Sequence, residues 1–135
     1  MNSLRIFSII SWISLPTVMF GGYALLRFIS RGGLSEFQHT YFRAGHAHAG
    51  VLLLMSLLYY LFMEQTSLSQ SMKIIGAAIL VVGILAQSGG FFLHMLTGQP
   101  GQPSVGTIVT SIGALLLAVA VLILVIGLIR ANSLT

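Results

Sequence analysis

Four runs of about 20 predominantly apolar residues divide this chain, and runs of that length and character fold as helices that cross a bilayer. They cover residues 6–26, 45–63, 74–96 and 105–129 of the 135. Between them lie short polar joints. The first, 27–43, contains Gly32-Gly33, and the second, 64–73, is rich in Ser and Gln. The third, 98–104, carries Pro100 and Pro103, which stop helix propagation. Joints this short force neighbouring helices antiparallel. The expected fold is therefore all-α: an integral membrane four-helix bundle with up-down topology, forming a single transmembrane domain over residues 1–135.

Charge supports the same class. Charged residues make up 6% of the chain, six Lys/Arg and two Asp/Glu, where a soluble domain carries about 25%. The net charge of +4 is spread thinly and forms no basic cluster, so nucleic acid is not a partner. With no cysteine, disulfides, Cys-bound zinc, iron–sulfur clusters and thiol catalysis are excluded. The first run follows Arg5 as a signal peptide would, but it is long and lacks a clear cleavage site, so we read it as a true span with a kink at Pro16. With four spans, Arg5, Lys73 and Arg130 share one side, and Arg27, Arg31 and Arg43 share the other. If Arg43 serves a site, the positive-inside rule places both termini in the cytoplasm. The expected location is the cytoplasmic membrane, the inner membrane of a bacterium.

Small residues let membrane helices approach closely. The third run has Gly76, Gly83 and Gly90 at seven-residue spacing, and the fourth has Gly106, Thr110, Ala114 and Ala118 at four-residue spacing. Both stripes read as packing faces, and a homo-oligomer built on the glycine faces is an expectation. Trp12, Tyr23, Tyr59 and Tyr60 read as aromatic anchors at the interfaces. Glu64 reads as the cap of an interfacial helix end.

The chemistry lies in four histidines: His39, His46, His48 and His94. The hairpin topology brings all four to one membrane face, His46 and His48 opening the second span and His94 closing the third. Ionisable groups at membrane depth default to function, and neutral imidazole is the commonest metal ligand. At about 100° per residue, His46 and His48 point to nearly opposite sides of a helix. Two arrangements follow. If 43–49 is not helical, His46, His48 and His94, with His39 nearby, hold copper or zinc. If the helix has begun, one histidine faces His94 across the bundle, as a haem b with two axial imidazoles requires. Gln87, Phe91 and His94 fall along one stripe of the third span. Phe91, Phe92, Met95, Leu52 and Met55 supply apolar walls, Gly89-Gly90 admits a flat macrocycle, and Arg43 suits a propionate.

Residues 41–52, Tyr-Phe-Arg-Ala-Gly-His-Ala-His-Ala-Gly-Val-Leu, resemble the His-x-His helix of haem–copper oxidase and nitric oxide reductase catalytic subunits. By that resemblance His48 corresponds to the low-spin haem ligand and His46 to the high-spin one, while His94 matches no motif of the family. The family's subunit is built from repeated four-helix units, and this chain is the size of one. The likeness covers about a dozen residues, and the family's three-histidine copper site and cross-linked tyrosine have no counterpart here, so oxygen reduction by this chain alone is not implied. The same stretch is also similar to the second-helix opening of small bacterial membrane proteins, which adds no mechanism.

Three functions remain. The first is a haem protein for electron transfer, with a quinone as partner, or for gas handling, which would make it a haem-dependent oxidoreductase or electron carrier. The second is a copper or zinc membrane protein, and the third a structural or assembly subunit of a larger membrane (respiratory) complex. Hydrolase chemistry is excluded, because no serine–histidine–carboxylate set can be assembled from two acids on opposite sides of the bilayer. No catalytic residue is assigned.

Overall fold

The computed structural model describes residues 3–132 and consists of four helices. They are α1 (Ser3–Ser30), α2 (Glu36–Glu64), α3 (Gln70–Thr97) and α4 (Val105–Asn132). All four are long and apolar enough to cross a membrane. A helix of 28 residues spans about 42 Å, against about 30 Å for the hydrocarbon core, so its ends stand in the headgroup layers. The fold is the all-α antiparallel bundle expected, with no strand among the described residues.

The helices extend beyond the expected spans, most of all at the start of α2. Helix α2 starts at Glu36, well before residue 45, inside the stretch expected to be a polar loop. The cause is local. Ser35 Oγ accepts from the Gln38 N–H at 3.2 Å, and Gln38 Oε1 accepts from the Ser35 N–H at 3.1 Å. This reciprocal capping box satisfies two amide donors at once and fixes the helix start. Gly32 supplies the left-handed turn (φ 65°) that frees the chain from α1 just before it. Helix α1 runs on through Pro16.

The four helices do not form a closed square. Helices α2 and α3 pack together, α1 lies along α2 and touches α3, and α4 lies along α3 and touches α2. Among the described residues α1 and α4 do not meet. The closest pairing is α3 with α4, and its seam has a seven-residue period on both helices. Gly76, Gly83 and Gly90 of α3 are buried, as are Gly106, Gly113, Ala120 and Gly127 of α4. A Cβ on Gly90 would strike Thr110 and the Gly106 carbonyl, and one on Gly106 would strike the His94 backbone. A strict seven-residue repeat keeps one face toward its partner as two helices coil left-handed.

This seam corrects one expectation. Ala114 and Ala118 lie on the exposed side of α4, so the four-residue stripe is not the packing face. Gly76, Gly83 and Gly90 pack against α4 within the chain, while Gly89 faces outward. A second correction concerns the tyrosines. Tyr59 and Tyr60 are 3% and 2% exposed and turn inward onto Met63, Ala77, Leu80 and Ala120 rather than outward as anchors. The Tyr59 hydroxyl donates to the Ala120 carbonyl at 3.0 Å, fastening α2 to α4. Trp12 and Tyr23 do face outward. Lys73, expected in a loop, is buried in α3, and its ammonium donates to the Glu64 carbonyl at 3.1 Å, closing the C-terminal end of α2. The buried cluster runs from the middle of α3 and α4 to the end where α1 starts and α2 finishes.

Candidate functional site at the histidine end

The opposite end holds the histidines. Gly45 on α2 packs against Phe91 and Phe92 on α3, which fixes the level at which the two helices run past each other. That register brings His39, His46 and His48 of α2 to the same end as His94 in the last turn of α3. The longer α2 changes their depth. His46 and His48 lie about 15 and 18 Å along the helix from Glu36. With the excess helix length split between the two ends, both lie below the headgroup boundary rather than at it, where an ionisable side chain is costly.

The residues around position 46 are helical, so His46 and His48 diverge. His46 faces α1, where Gly21 and Gly22 leave a notch for its ring; a Cβ on Gly22 would come within 2.9 Å of Nε2. His48 faces α3 and packs on the Phe91 ring, with centroids 4.7 Å apart. Its Nδ1 meets the Ala44 carbonyl at 2.8 Å. Because a carbonyl can only accept, Nδ1 carries a hydrogen, and in the neutral ring Nε2 is then the nitrogen with the lone pair.

His94 is the most enclosed of the four, at 2% exposure. Its ring meets Tyr41 edge-on at 4.3 Å and Phe37 at 5.3 Å, both from α2. Gly98 lies so close that a side chain there would strike the imidazole. Its Nδ1 lies 2.6 Å from Ser104 Oγ, and the same oxygen accepts from the Gly106 N–H at 3.0 Å. Ser104 thus caps α4 and anchors His94 together. Ser104→Ala is expected to remove both contacts and to cost about 1–2 kcal/mol, read as a lower midpoint of denaturant unfolding in detergent. Unchanged stability would show that the cap contributes nothing.

The rings form a chain across the α2–α3 interface: His48 to Phe91, Phe91 to Tyr41 at 6.4 Å, and Tyr41 to His94. Among the described residues neither His48 Nε2 nor His94 Nε2 has a hydrogen-bond partner. His39 Nε2 is buried and also unpartnered.

The other candidates separate. Phe91 joins the site. Gln87 contributes its backbone to the α3–α4 seam, where it faces Gly113, and its carbonyl lies 3.5 Å from Thr110 Oγ1. Gly90 is closed off by α4, so it admits a helix and no macrocycle, while Gly89 faces open space. Phe92 packs edge-on against Phe42. Leu52 and Met55 rest on the core cluster instead. Arg43 is exposed. The three-histidine copper or zinc arrangement required a non-helical segment at 43–49. That segment is helical, and among the described residues no three His, Asp or Glu side chains gather around one point. Phe37 and Ser104, which enclose His94, escaped the sequence reading. Ser104 carried a signal, since a serine just before an apolar run marks a helix start; Phe37 carried none.

Comparison of the chain with protein-family models, curated proteins and solved structures gives no match.

Proposed function

We propose that this chain is a small haem protein of the bacterial cytoplasmic membrane, with both termini on the cytoplasmic side, holding haem b between His48 and His94. The observation that supports this reading is the state of the two imidazoles. Each has Nδ1 held by an oxygen of the fold; for His48 that oxygen is a carbonyl, so Nδ1 is the donor, as in metal-ligating histidines, while the Ser104 hydroxyl at His94 can donate or accept. They come from adjacent helices at one end of the bundle, His48 against Phe91 and His94 against Phe37 and Tyr41, with Phe91 and Tyr41 in contact between them.

Tyr41 and Phe91 stand between the two histidines, so loading requires both rings to turn aside. Once aside, they would flank the group. The bound haem would supply one-electron chemistry, and a bis-imidazole site leaves no open position for a gas ligand, which favours electron transfer. What the chain contributes is orientation: the Ala44 carbonyl sets the His48 tautomer, and Ser104 holds the plane of the His94 ring.

Expression with haem precursor, followed by a reduced-minus-oxidised spectrum in detergent, tests this. A Soret band with sharp α and β bands is expected. A colourless protein from haem-replete cells would overturn the reading in favour of a structural or assembly subunit of a larger membrane complex.

A further inference from the structure

A groove runs down the outer seam between α1 and α2 at the end opposite the histidines. Its volume is about 630 Å³, and Trp12, Leu57, Leu58 and Leu61 are among its walls. Arg5 and Glu64 line it too, and both are exposed. Ser8 also borders it, but its hydroxyl is already returned to the Leu4 carbonyl at 3.2 Å.

The two charges stand level with each other. Ser56 Oγ meets Ser11 Oγ at 2.8 Å, which fixes the register of α1 against α2. From that contact Arg5 lies about 9 Å and Glu64 about 12 Å along the helix axes, toward the same end of the bundle. Arg5 is in the first turn of α1 and Glu64 is the last residue of α2. Because the helices outreach the hydrocarbon core, both residues stand in the head-group layer. Trp12 lies about 10 Å further in than Arg5, level with Leu57 and below the head groups. Lys73 donates to the Glu64 carbonyl from α3 and is not on the groove. The groove thus carries one cation and one anion at its mouth, with apolar walls running beneath them into the bilayer.

We infer that this groove binds a phospholipid whose head group holds both a phosphate and a primary ammonium, phosphatidylethanolamine, with an acyl chain lying along Trp12 and Leu57. The phosphate accepts from Arg5, whose planar fork suits two of its oxygens. The ammonium donates to the Glu64 carboxylate at the C-terminal end of α2, where the helix dipole also favours a cation. A glycerol head group brings the phosphate but sets no cation against Glu64. A choline head group brings the positive charge, but its methylated nitrogen has no N–H to donate. Free phosphate would leave the apolar walls unused. The groove lies at the end of the bundle away from the haem pair, and binding is tested on the protein without haem.

Trp12 is the single tryptophan of the chain, so its fluorescence reports on this groove. The test places the chain in phosphatidylcholine nanodiscs that contain a minor fraction of one brominated lipid, and reads the quenching of Trp12. Brominated phosphatidylethanolamine is expected to compete for the groove about threefold better than brominated phosphatidylcholine or phosphatidylglycerol, the size of two exposed ion contacts. Arg5→Gln and Glu64→Gln should each lower that preference. Arg31→Gln, at the opposite end of the bundle, should leave it unchanged. Circular dichroism checks that each variant is folded, and the comparison of the three lipids on the parent chain decides the question if one is not. Equal quenching by the three lipids, stronger quenching by phosphatidylglycerol or phosphatidylcholine, or an undiminished preference in either folded variant would overturn the inference.

Discussion

Gly113→Val is expected to abolish the folded bundle. A side chain at Gly113 would lie against the backbone of Gln87 and Ala86, not against flexible side-chain atoms. Backbone cannot rotate away, so α3 and α4 must separate along the seam. The same approach is used at Gly90 and Gly106, so the separation would spread to the contacts beside His94. Overpacking usually costs about 1–3 kcal/mol, and a backbone collision lies at or above the upper end. The expected result is a chain that aggregates on extraction or unfolds at much lower denaturant. Gly89→Ala is the control. Nothing lies within 4 Å of a Cβ there, and alanine is the better helix former by about 1 kcal/mol, so this variant should be as stable as the parent or slightly more so. A Gly113→Val protein of parental stability would show that the α3–α4 seam is not what holds the bundle.

The second large effect is expected at His94, where two roles must be separated. The ring fills the space between Phe37, Tyr41 and Gly98, so His94→Ala leaves a cavity and an orphaned Ser104 hydroxyl. Removing a buried ring costs about 3–5 kcal/mol in soluble cores, so this variant should be strongly destabilised whatever the function. His94→Phe restores the ring without a ligating nitrogen. It should recover most of the stability and still fail to form a low-spin haem complex. A His94→Phe protein with the parental spectrum would remove His94 from the ligand set.

Much of this was legible in the residues. Run length and charge scarcity identify the spans, and the hairpin topology alone collects the histidines at one end. The 100° rule anticipates that His46 and His48 diverge, as they do, toward α1 and α3. The misreadings have physical causes. The start of α2 was hidden because Glu36 to Arg43 is polar, and hydropathy marks the bilayer rather than the helix; the capping box Ser35–Gln38 was the better signal. The α4 face was misread because alanine is as content against lipid as against a helix. Only the period distinguishes them, and the seven-residue spacing of Gly106, Gly113, Ala120 and Gly127 is the one that matches α3. Tyr59 and Tyr60 looked like interfacial anchors because they lie near a helix end, and position along a helix says nothing about which face it turns inward.

The central claim is that His48 and His94 act as a pair through Nε2. Near-infrared magnetic circular dichroism of the purified chain titrated with ferric haem reads axial ligands directly. The account requires a bis-imidazole signature that saturates at one haem per chain, persists in His46→Ala, and is lost in both His48→Ala and His94→Phe. A five-coordinate spectrum in the parent, or a bis-imidazole signature that survives His48→Ala, would contradict it.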